Sequence, residues 1–158
     1  MVPAAFLLSI AGLGVSLAGF SGLVAALRRG SKWRPLDVYR LRQIPEMGLA
    51  TSALSLATLP VAEIVGSAAP TVRCLSAVGL VFVTSHIILL VFRTRGMGLR
   101  LSAVNYVSAG LIDLATIAAA VATIVFTNSA GYEALLILLL GRAMLAFVLV
   151  LGDLPTTE

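Results

Sequence analysis

The sequence contains few charged residues. Only 11% of its 158 residues are charged, whereas a soluble domain has about 25%. Hydrophobic residues make up 59% of the chain, and the mean hydropathy is +1.07. A chain of this composition cannot cover a water-facing surface with polar side chains. It is therefore predicted to be an integral membrane protein that has the lipid bilayer as its partner.

Cysteine, histidine and lysine are each represented once. The single cysteine, Cys74, excludes an internal disulfide, a cysteine metal cluster and a CxxC redox motif. The single histidine, His86, excludes bis-histidine haem ligation and the usual multi-histidine metal sites. The lysine, Lys32, lies between two apolar segments, which excludes a Schiff base within the membrane. No metal site and no cofactor is predicted.

The basic residues are unevenly placed. Lysine and arginine number 11 against 7 acidic residues, and nine of the 11 lie in residues 28–42 and 93–100. Such clusters are typical of loops that stay on the cytoplasmic side of a membrane. The basic excess therefore indicates topology, and no nucleic-acid partner is predicted.

Five apolar segments are long enough to cross a bilayer, which takes about 20 residues. They are 2–27, 47–65, 74–92, 101–126 and 134–152. Because the connections are short, we expect one domain, 1–158, with neighbouring helices antiparallel. The predicted fold is an all-α bundle of five transmembrane helices. Cytoplasmic loops at 28–46 and 93–100 place the N-terminus outside and the C-terminus in the cytoplasm, in a plasma or bacterial inner membrane.

The longer basic loop, 28–46, is predicted to contain a short interfacial helix. Pro35 suits the start of this helix, and Pro45 suits a break before the second span. Arg40, Arg42 and Gln43 are expected to face water on its polar side. The same surface is an alternative docking site for a cytoplasmic partner.

Small residues recur every four positions in the first span, at Gly14, Ala18, Gly22 and Ala26. Such a row forms a groove that another helix backbone can approach closely. The neighbour can belong to the same chain or to another subunit. Because five short helices bury only a thin core, we expect a homo-oligomer.

The fourth span has one polar face and one apolar face. Steps of four and three residues place the polar and small residues on one side: Asn105, Ala109, Asp113, Thr116, Ala120, Thr123 and Thr127. In a membrane this face must turn to the bundle interior, a subunit interface or water. It serves either as packing between helices or as the lining of a polar pathway.

Two charges lie near the middle of consecutive spans, Asp113 in the fourth and Arg142 in the fifth. Insertion of an arginine at the centre of a membrane helix costs roughly 2.5–3.5 kcal/mol. We therefore predict a buried Asp113–Arg142 ion pair, with His86 at a similar depth nearby. The pair is either a fixed structural link or part of a pathway that responds to an ion or a proton.

The sequence gives little indication of catalysis. Ser85 and His86 are adjacent in a helix, where they point about 100° apart and cannot act as nucleophile and base. The chain has no GxSxG, HExxH or Gly-rich phosphate motif. The predicted function is a small oligomeric channel or transporter for ions or small solutes, with the fourth helix lining its pathway. The alternative is a non-catalytic subunit or scaffold that docks another membrane protein, and an enzyme acting on lipid ranks third.

Overall fold

A computed structural model describes the backbone of residues 2–27, 35–97 and 103–152 and the side chains of residues 2–26, 36–92 and 107–152. Five α-helices occupy almost all of this part of the chain. They are α1 (Ala4–Leu27), α2 (Pro35–Val65), α3 (Ala68–Met97), α4 (Ala103–Phe126) and α5 (Ser129–Gly152). Each helix is long and apolar enough to cross a membrane. The all-α prediction is therefore confirmed, and the chain has the form of a multi-pass membrane protein.

Tight turns fix the relative directions of the last four helices. Residues 66–67 join α2 to α3, and residues 127–128 join α4 to α5. The first turn uses Gly66 at φ +69°, a left-handed conformation that glycine adopts without steric cost. The start of α2, the end of α3, the start of α4 and the end of α5 therefore lie at one end of the bundle. This end, which adjoins the two basic stretches of the sequence, is called the basic end below.

A helix begins at Pro35, as predicted within the loop 28–46, but it continues through Pro45, where a break was predicted. Residues 28–34 of that loop lie outside the described part of the chain. Pro45 lacks a backbone N–H and its ring crowds the carbonyl four residues earlier, so the helix continues through it with one hydrogen bond fewer. Arg40 and Gln43 are buried, at 5% and 3% exposure, and do not face water as predicted. Their spacing extends the buried face of α2 that continues at Met47, 1% exposed. Helix α3 likewise extends to Met97, five residues past its candidate span, which ends at Phe92. The first part of the predicted loop 93–100 is therefore helical, and residues 98–100 lie outside the described part of the chain.

The central helix is α5, which packs against each of the other four. In the apolar stretch of 18 residues within α5, 44% of the residues are buried, against 22–33% in the corresponding stretches of the other helices. Its buried face combines bulky leucines with small residues that allow neighbours to approach: Leu135, Leu136, Leu139, Ala143 and Ala146. Residues on α5 are therefore the ones that can meet side chains from every side of the bundle.

Helix α4 turns its polar face inward. Asp113, Thr116, Ala120 and Thr123 are all buried, whereas Leu111, Leu114, Val121 and Val125 on the opposite side are exposed. In a bilayer this arrangement gives the apolar side to lipid and keeps the polar side among protein groups. The sequence allowed this face to turn to the bundle interior, a subunit interface or water. In the structure Asp113, Thr116, Ala120 and Thr123 face the interior of the bundle.

The small-residue row of α1 contributes to helix packing at only one of its ends. Gly14 is buried where α1 crosses α2, but Gly22 and Ala26 are exposed. Each four-residue step advances about 40° beyond a full turn, so three steps rotate the row by about 120°. The buried face of α1 instead repeats every seven residues, at Leu7, Gly14 and Ser21. Within this chain the row is closely packed only at Gly14, and contact along Gly22 and Ala26 with another subunit stays a prediction.

Candidate functional site

The two central charges meet in the structure. The Nε–H of Arg142 donates to Oδ1 of Asp113 at 3.0 Å. Both residues are buried, with 5% of Arg142 and 7% of Asp113 exposed. Asp113 lies fourteen residues before Thr127, and Arg142 lies fourteen residues after Asn128. Equal distances from the turn bring the two side chains to the same depth in antiparallel helices.

A cavity of about 250 Å³ adjoins this ion pair at the basic end, between α2, α3, α4 and α5. Most of its walls are apolar: Leu36, Ile87, Leu90, Val91, Ala109, Gly110, Leu114, Ile117, Ala146 and Leu149. Its polar lining consists of Tyr39, Arg40, Gln43, Asp113 and Arg142. Apolar walls with a few convergent polar groups are characteristic of small-molecule sites. The ion pair therefore borders a cavity rather than close-packed side chains.

Arg142 has hydrogen-bonding capacity to spare in this cavity. A guanidinium has five N–H donors, and within the described residues the Arg142 side chain makes one hydrogen bond, from Nε to Asp113. Neither of its two terminal amino groups makes a hydrogen bond within the described residues, and neither is fully buried. Each therefore keeps some accessible surface. Arg142 itself is one of the residues that line the cavity. The site thus offers unused cationic donors in an apolar setting.

His86 lies beside the ion-pair cavity and borders a second one. Its Nε2 is 2.9 Å from Nε2 of Gln43, and its Nδ1 is 3.9 Å from Oε2 of Glu46. Gln43 and His86 share a hydrogen bond whose direction depends on the histidine tautomer, and the other ring nitrogen, Nδ1, faces Glu46. Glu46 also pairs with Arg42 one turn earlier. The second cavity, again about 250 Å³, is lined by His86, Glu46 and Arg42 among others, so Gln43 connects His86 with the Asp113–Arg142 cavity.

The other polar residues predicted on α4 are placed differently. Thr116 Oγ1 donates to the carbonyl of Ile112 at 2.7 Å, and Thr123 Oγ1 donates to the carbonyl of Ala119 at 2.8 Å. Neither threonine lines either of the two cavities. Hydroxyls bonded to their own helix act as packing groups. The side chain of Asn105, also predicted for the pathway, lies outside the described residues.

The half of the bundle away from the basic end is closely packed. Thr123 Oγ1 occupies the place that a Cβ at Gly131 would take. The hydroxyl of Tyr132, a residue with 0% exposure, donates to the carbonyl of Leu54 at 2.8 Å and lies 3.0 Å from Oγ1 of Thr58. These contacts tie α5 to α2 and α4. The helices are therefore in direct contact on the side of the cavity away from the basic end.

Arg40 and Gln43 are site residues that sequence reasoning assigned to a water-facing surface. The available signal was helical spacing: Leu36, Arg40, Gln43, Met47 and Thr51 follow steps of four and three. From Thr51 the same face continues to the buried Ser55 and Thr58, so the series extends a polar row of α2 backwards through Pro45. A prediction that accepted a proline inside the helix would have placed both side chains in the bundle.

The site offers charge recognition and hydrogen bonding rather than metal ligation. Within the described residues, no group of three His, Cys, Asp or Glu side chains is arranged to hold a metal ion. Comparison with protein families, with curated proteins and with solved structures finds no match to this chain. Its function is therefore inferred from the geometry of the Asp113–Arg142 cavity.

Proposed function

We propose that this chain is the subunit of a small homo-oligomeric membrane transporter or channel for ions or small solutes. The Asp113–Arg142 cavity is its solute-binding site. The observation that carries this proposal is a buried ion pair that borders a cavity of about 250 Å³ rather than close-packed side chains. The basic end faces the cytoplasm of a plasma or bacterial inner membrane, by the distribution of basic residues.

The cost of placing charges in a membrane supports a functional role for the pair. Ionisable groups within membrane spans are expensive and mark solute pathways or proton relays. An ion pair that only links two helices is most stable when protein groups surround it and satisfy its remaining donors and acceptors. Here the space beside Asp113 and Arg142 is empty of protein atoms and lined by side chains from four helices.

The packing beyond the cavity favours transport by alternating access over a permanently open channel. Tyr132 and Leu135 have 0% exposure, and Thr123 is packed tightly against Gly131. A solute that enters from the basic end therefore needs α4 and α5 to separate before it leaves at the other end. Rigid-body movement of helices around a fixed midplane site is a common transporter mechanism.

Flux through purified protein in liposomes tests the proposal. Currents on a solid-supported membrane would be recorded for sodium chloride and for small organic salts, with the wild type, Asp113→Asn and Arg142→Leu. We expect wild-type current for at least one solute and a large reduction or altered selectivity in the two variants. Thr116→Val is the matched control, because its hydroxyl bonds to its own helix and lines neither cavity. Absence of flux for all solutes would contradict transport, and wild-type flux in both variants would contradict a role for the Asp113–Arg142 cavity as the solute site.

The alternative function is a non-catalytic subunit or scaffold that docks another membrane protein. It is favoured by an open face on α1, where Gly12, Gly19 and Gly22 have nothing within 4 Å of an added Cβ. Small residues on such a face allow close approach of a further helix. Co-purification of a stoichiometric foreign membrane protein, without flux by the chain alone, would favour this alternative. Native mass spectrometry that gives a homo-oligomer would favour the first.

A further inference from the structure

We infer that His86 is a proton-binding site whose state is passed to the Asp113–Arg142 cavity by a half-turn of the Gln43 side-chain amide. The proton is then the coupling ion of transport. This last consequence rests on the proposed function, whereas the proton site and the turn of the amide do not depend on it.

Both ring nitrogens of His86 face side chains of α2. Nε2 lies 2.9 Å from the amide nitrogen of Gln43, and Nδ1 lies 3.9 Å from a carboxylate oxygen of Glu46. The side chain of His86 is 9% exposed, and its ring packs against that of Phe82 with the centroids 6.3 Å apart. The ring is therefore held between a carboxylate, which only accepts, and an amide, which can donate or accept.

These two neighbours suit both protonation states of the ring. A neutral imidazole has one N–H and one acceptor nitrogen. When its proton is on Nδ1, toward Glu46, Nε2 accepts from the amide nitrogen of Gln43, the atom that lies beside it. A protonated imidazole has N–H donors on both sides, so Nε2 then needs the carbonyl oxygen of Gln43. A half-turn of the amide supplies this oxygen, because the two ends of the group have nearly the same size and shape.

A proton can reach His86 from the water at the basic end. Glu46 lies within ion-pair distance of Nδ1, so its charge attracts the proton to the ring. The side chains of Arg42 and Glu46, which pair with each other, are 61% and 33% exposed. Within the described residues, the titratable and charged groups that line the two adjoining cavities with His86 are Tyr39, Arg40, Arg42, Glu46, Asp113 and Arg142. Asp113 and Arg142 offset each other as an ion pair, which leaves Glu46 as the nearby anion with an exposed side chain.

Gln43 passes the state of His86 to the solute cavity. It is 3% exposed, lines the Asp113–Arg142 cavity, and also donates from its amide nitrogen to the Tyr39 hydroxyl at 2.7 Å. The half-turn exchanges the carbonyl and amino groups of Gln43, and with them the hydrogen-bonding groups that it offers around the cavity. A solute bonded to Gln43 therefore prefers one state of His86. By linkage, the proton and the solute then change each other's affinity by the same factor.

Solid-state NMR tests both steps directly, because His86 and Gln43 are the sole histidine and the sole glutamine of the chain. Protein labelled with nitrogen-15 in these two side chains is reconstituted in liposomes after removal of its purification tag. The ring nitrogens should change from the neutral to the protonated form between about pH 8 and about pH 5, the range in which histidine titrates. The cross-peak between Nε2 of His86 and Nε2 of Gln43, which are 2.9 Å apart, should be strong in the neutral form. It should be largely lost in the protonated form, because the amide nitrogen has turned away.

Three variants test the role of Glu46 in the same titration. Glu46→Gln keeps the size of the side chain but removes its charge, and it should weaken proton binding about tenfold, as loss of an opposite charge at this distance does. Arg42→Gln releases Glu46 from its ion pair with Arg42 and should strengthen proton binding, a gain that misfolding cannot produce. Glu63→Gln is the matched control, because it removes an exposed carboxylate from the other end of the same helix. It should titrate as the wild type does.

Three results would overturn the inference. They are a His86 ring that keeps one protonation state from about pH 5 to about pH 8, a cross-peak with Gln43 that protonation leaves unchanged, and equal titration of Glu46→Gln and the wild type.

Currents from the same liposomes on a solid-supported membrane test the coupling separately. The flux of any solute that the wild type carries should respond to a pH gradient. Titration of His86 with the turn of Gln43, but without flux of any solute, would support the proton site while contradicting transport. Flux together with a ring that does not titrate would leave transport supported and overturn the inference. Flux that ignores a pH gradient, with the amide turning as expected, would overturn only the coupling.

Discussion

Gly14 of α1 and Gly48 of α2 lie face to face where the two helices cross. The carbonyl oxygen of each glycine occupies the place that a Cβ on the other would take. Ser52, one turn further along α2, donates a hydrogen bond to the carbonyl of Ala11 at 2.8 Å beside this crossing. The first hairpin is thus held by backbone-to-backbone contact that only residues without a side chain permit.

Alanine at this crossing should destabilise the protein. In Gly48→Ala the new methyl group meets backbone atoms of Gly14, which cannot move aside as a flexible side chain would. Overpacking of this kind costs about 1–3 kcal/mol. Unfolding in detergent by titration with sodium dodecyl sulfate, followed by circular dichroism, measures the loss. Gly22→Ala is the control: nothing lies within 4 Å of its Cβ, so its stability should equal or slightly exceed that of the wild type. Equal losses in both variants would contradict the crossing.

The ion pair should show strong coupling between its members. Arg142→Gln alone leaves Asp113 buried without its cation, and breaking a buried pair in this way costs about 3–5 kcal/mol. The double variant with Asp113→Asn should recover most of that loss, because no unpaired charge remains. The free energy of unfolding of the wild type, both single variants and the double variant gives the coupling. Additive effects of the two substitutions would mean that the contact contributes little to stability.

Buried serines on α2 and α3 should respond in opposite ways to alanine. Ser52→Ala loses a bond between helices, and such bonds in membrane proteins average about 0.6 kcal/mol. The hydroxyls of Ser55 and Ser76 are fully buried and make no hydrogen bond within the described residues. Their removal should therefore be neutral or stabilising, since an unsatisfied buried hydroxyl is costly. Denaturation of the three variants compares them directly. A loss of stability in Ser55→Ala and Ser76→Ala would point to a partner for these hydroxyls, such as an internal water.

Labelling of cysteines should reveal the orientation. Cys74 is the sole cysteine of the chain, so Cys74→Ala gives a cysteine-free background. Ser67→Cys then places a thiol in the exposed turn between α2 and α3, and Arg42→Cys places one near the basic end, where the Arg42 side chain is 61% exposed. A membrane-impermeant maleimide added to intact cells should label position 67 at once and position 42 only after permeabilisation. The reverse pattern would invert the proposed topology.

The Asp113–Arg142 contact could be predicted because it depends on few quantities. Both charges had to avoid lipid, both lay in consecutive spans, and the turn between those spans was short. Equal distances from that turn left little freedom in their depth. The inward direction of the α4 polar face was only partly predictable, since a subunit interface would have satisfied the same physical requirement.

The cavity could not be predicted, because it depends on α2 more than on the charged helices. Arg40 and Gln43 reach it only because the helix begins at Pro35 and continues through Pro45. Basic residues beside a proline are typical of a membrane surface, and that local pattern outweighed the weaker helical spacing. The packing of α2 against the other helices then placed Arg40 and Gln43 in the cavity lining.

The amino-acid sequence by itself determined that the chain forms five apolar helices, because transfer of a helix into lipid depends on the summed hydropathy of its residues. It also determined that Asp113 and Arg142 must form an ion pair or meet other polar groups, because neither charge is stable in lipid. Only the tertiary structure decided that α5 is central, that α1 packs through a seven-residue repeat and that a cavity remains beside Arg142. In a bilayer the side chains that face lipid and those that face protein are both apolar, so hydropathy does not distinguish them. The choice between faces depends on shape and close packing, which exist only once the helices meet.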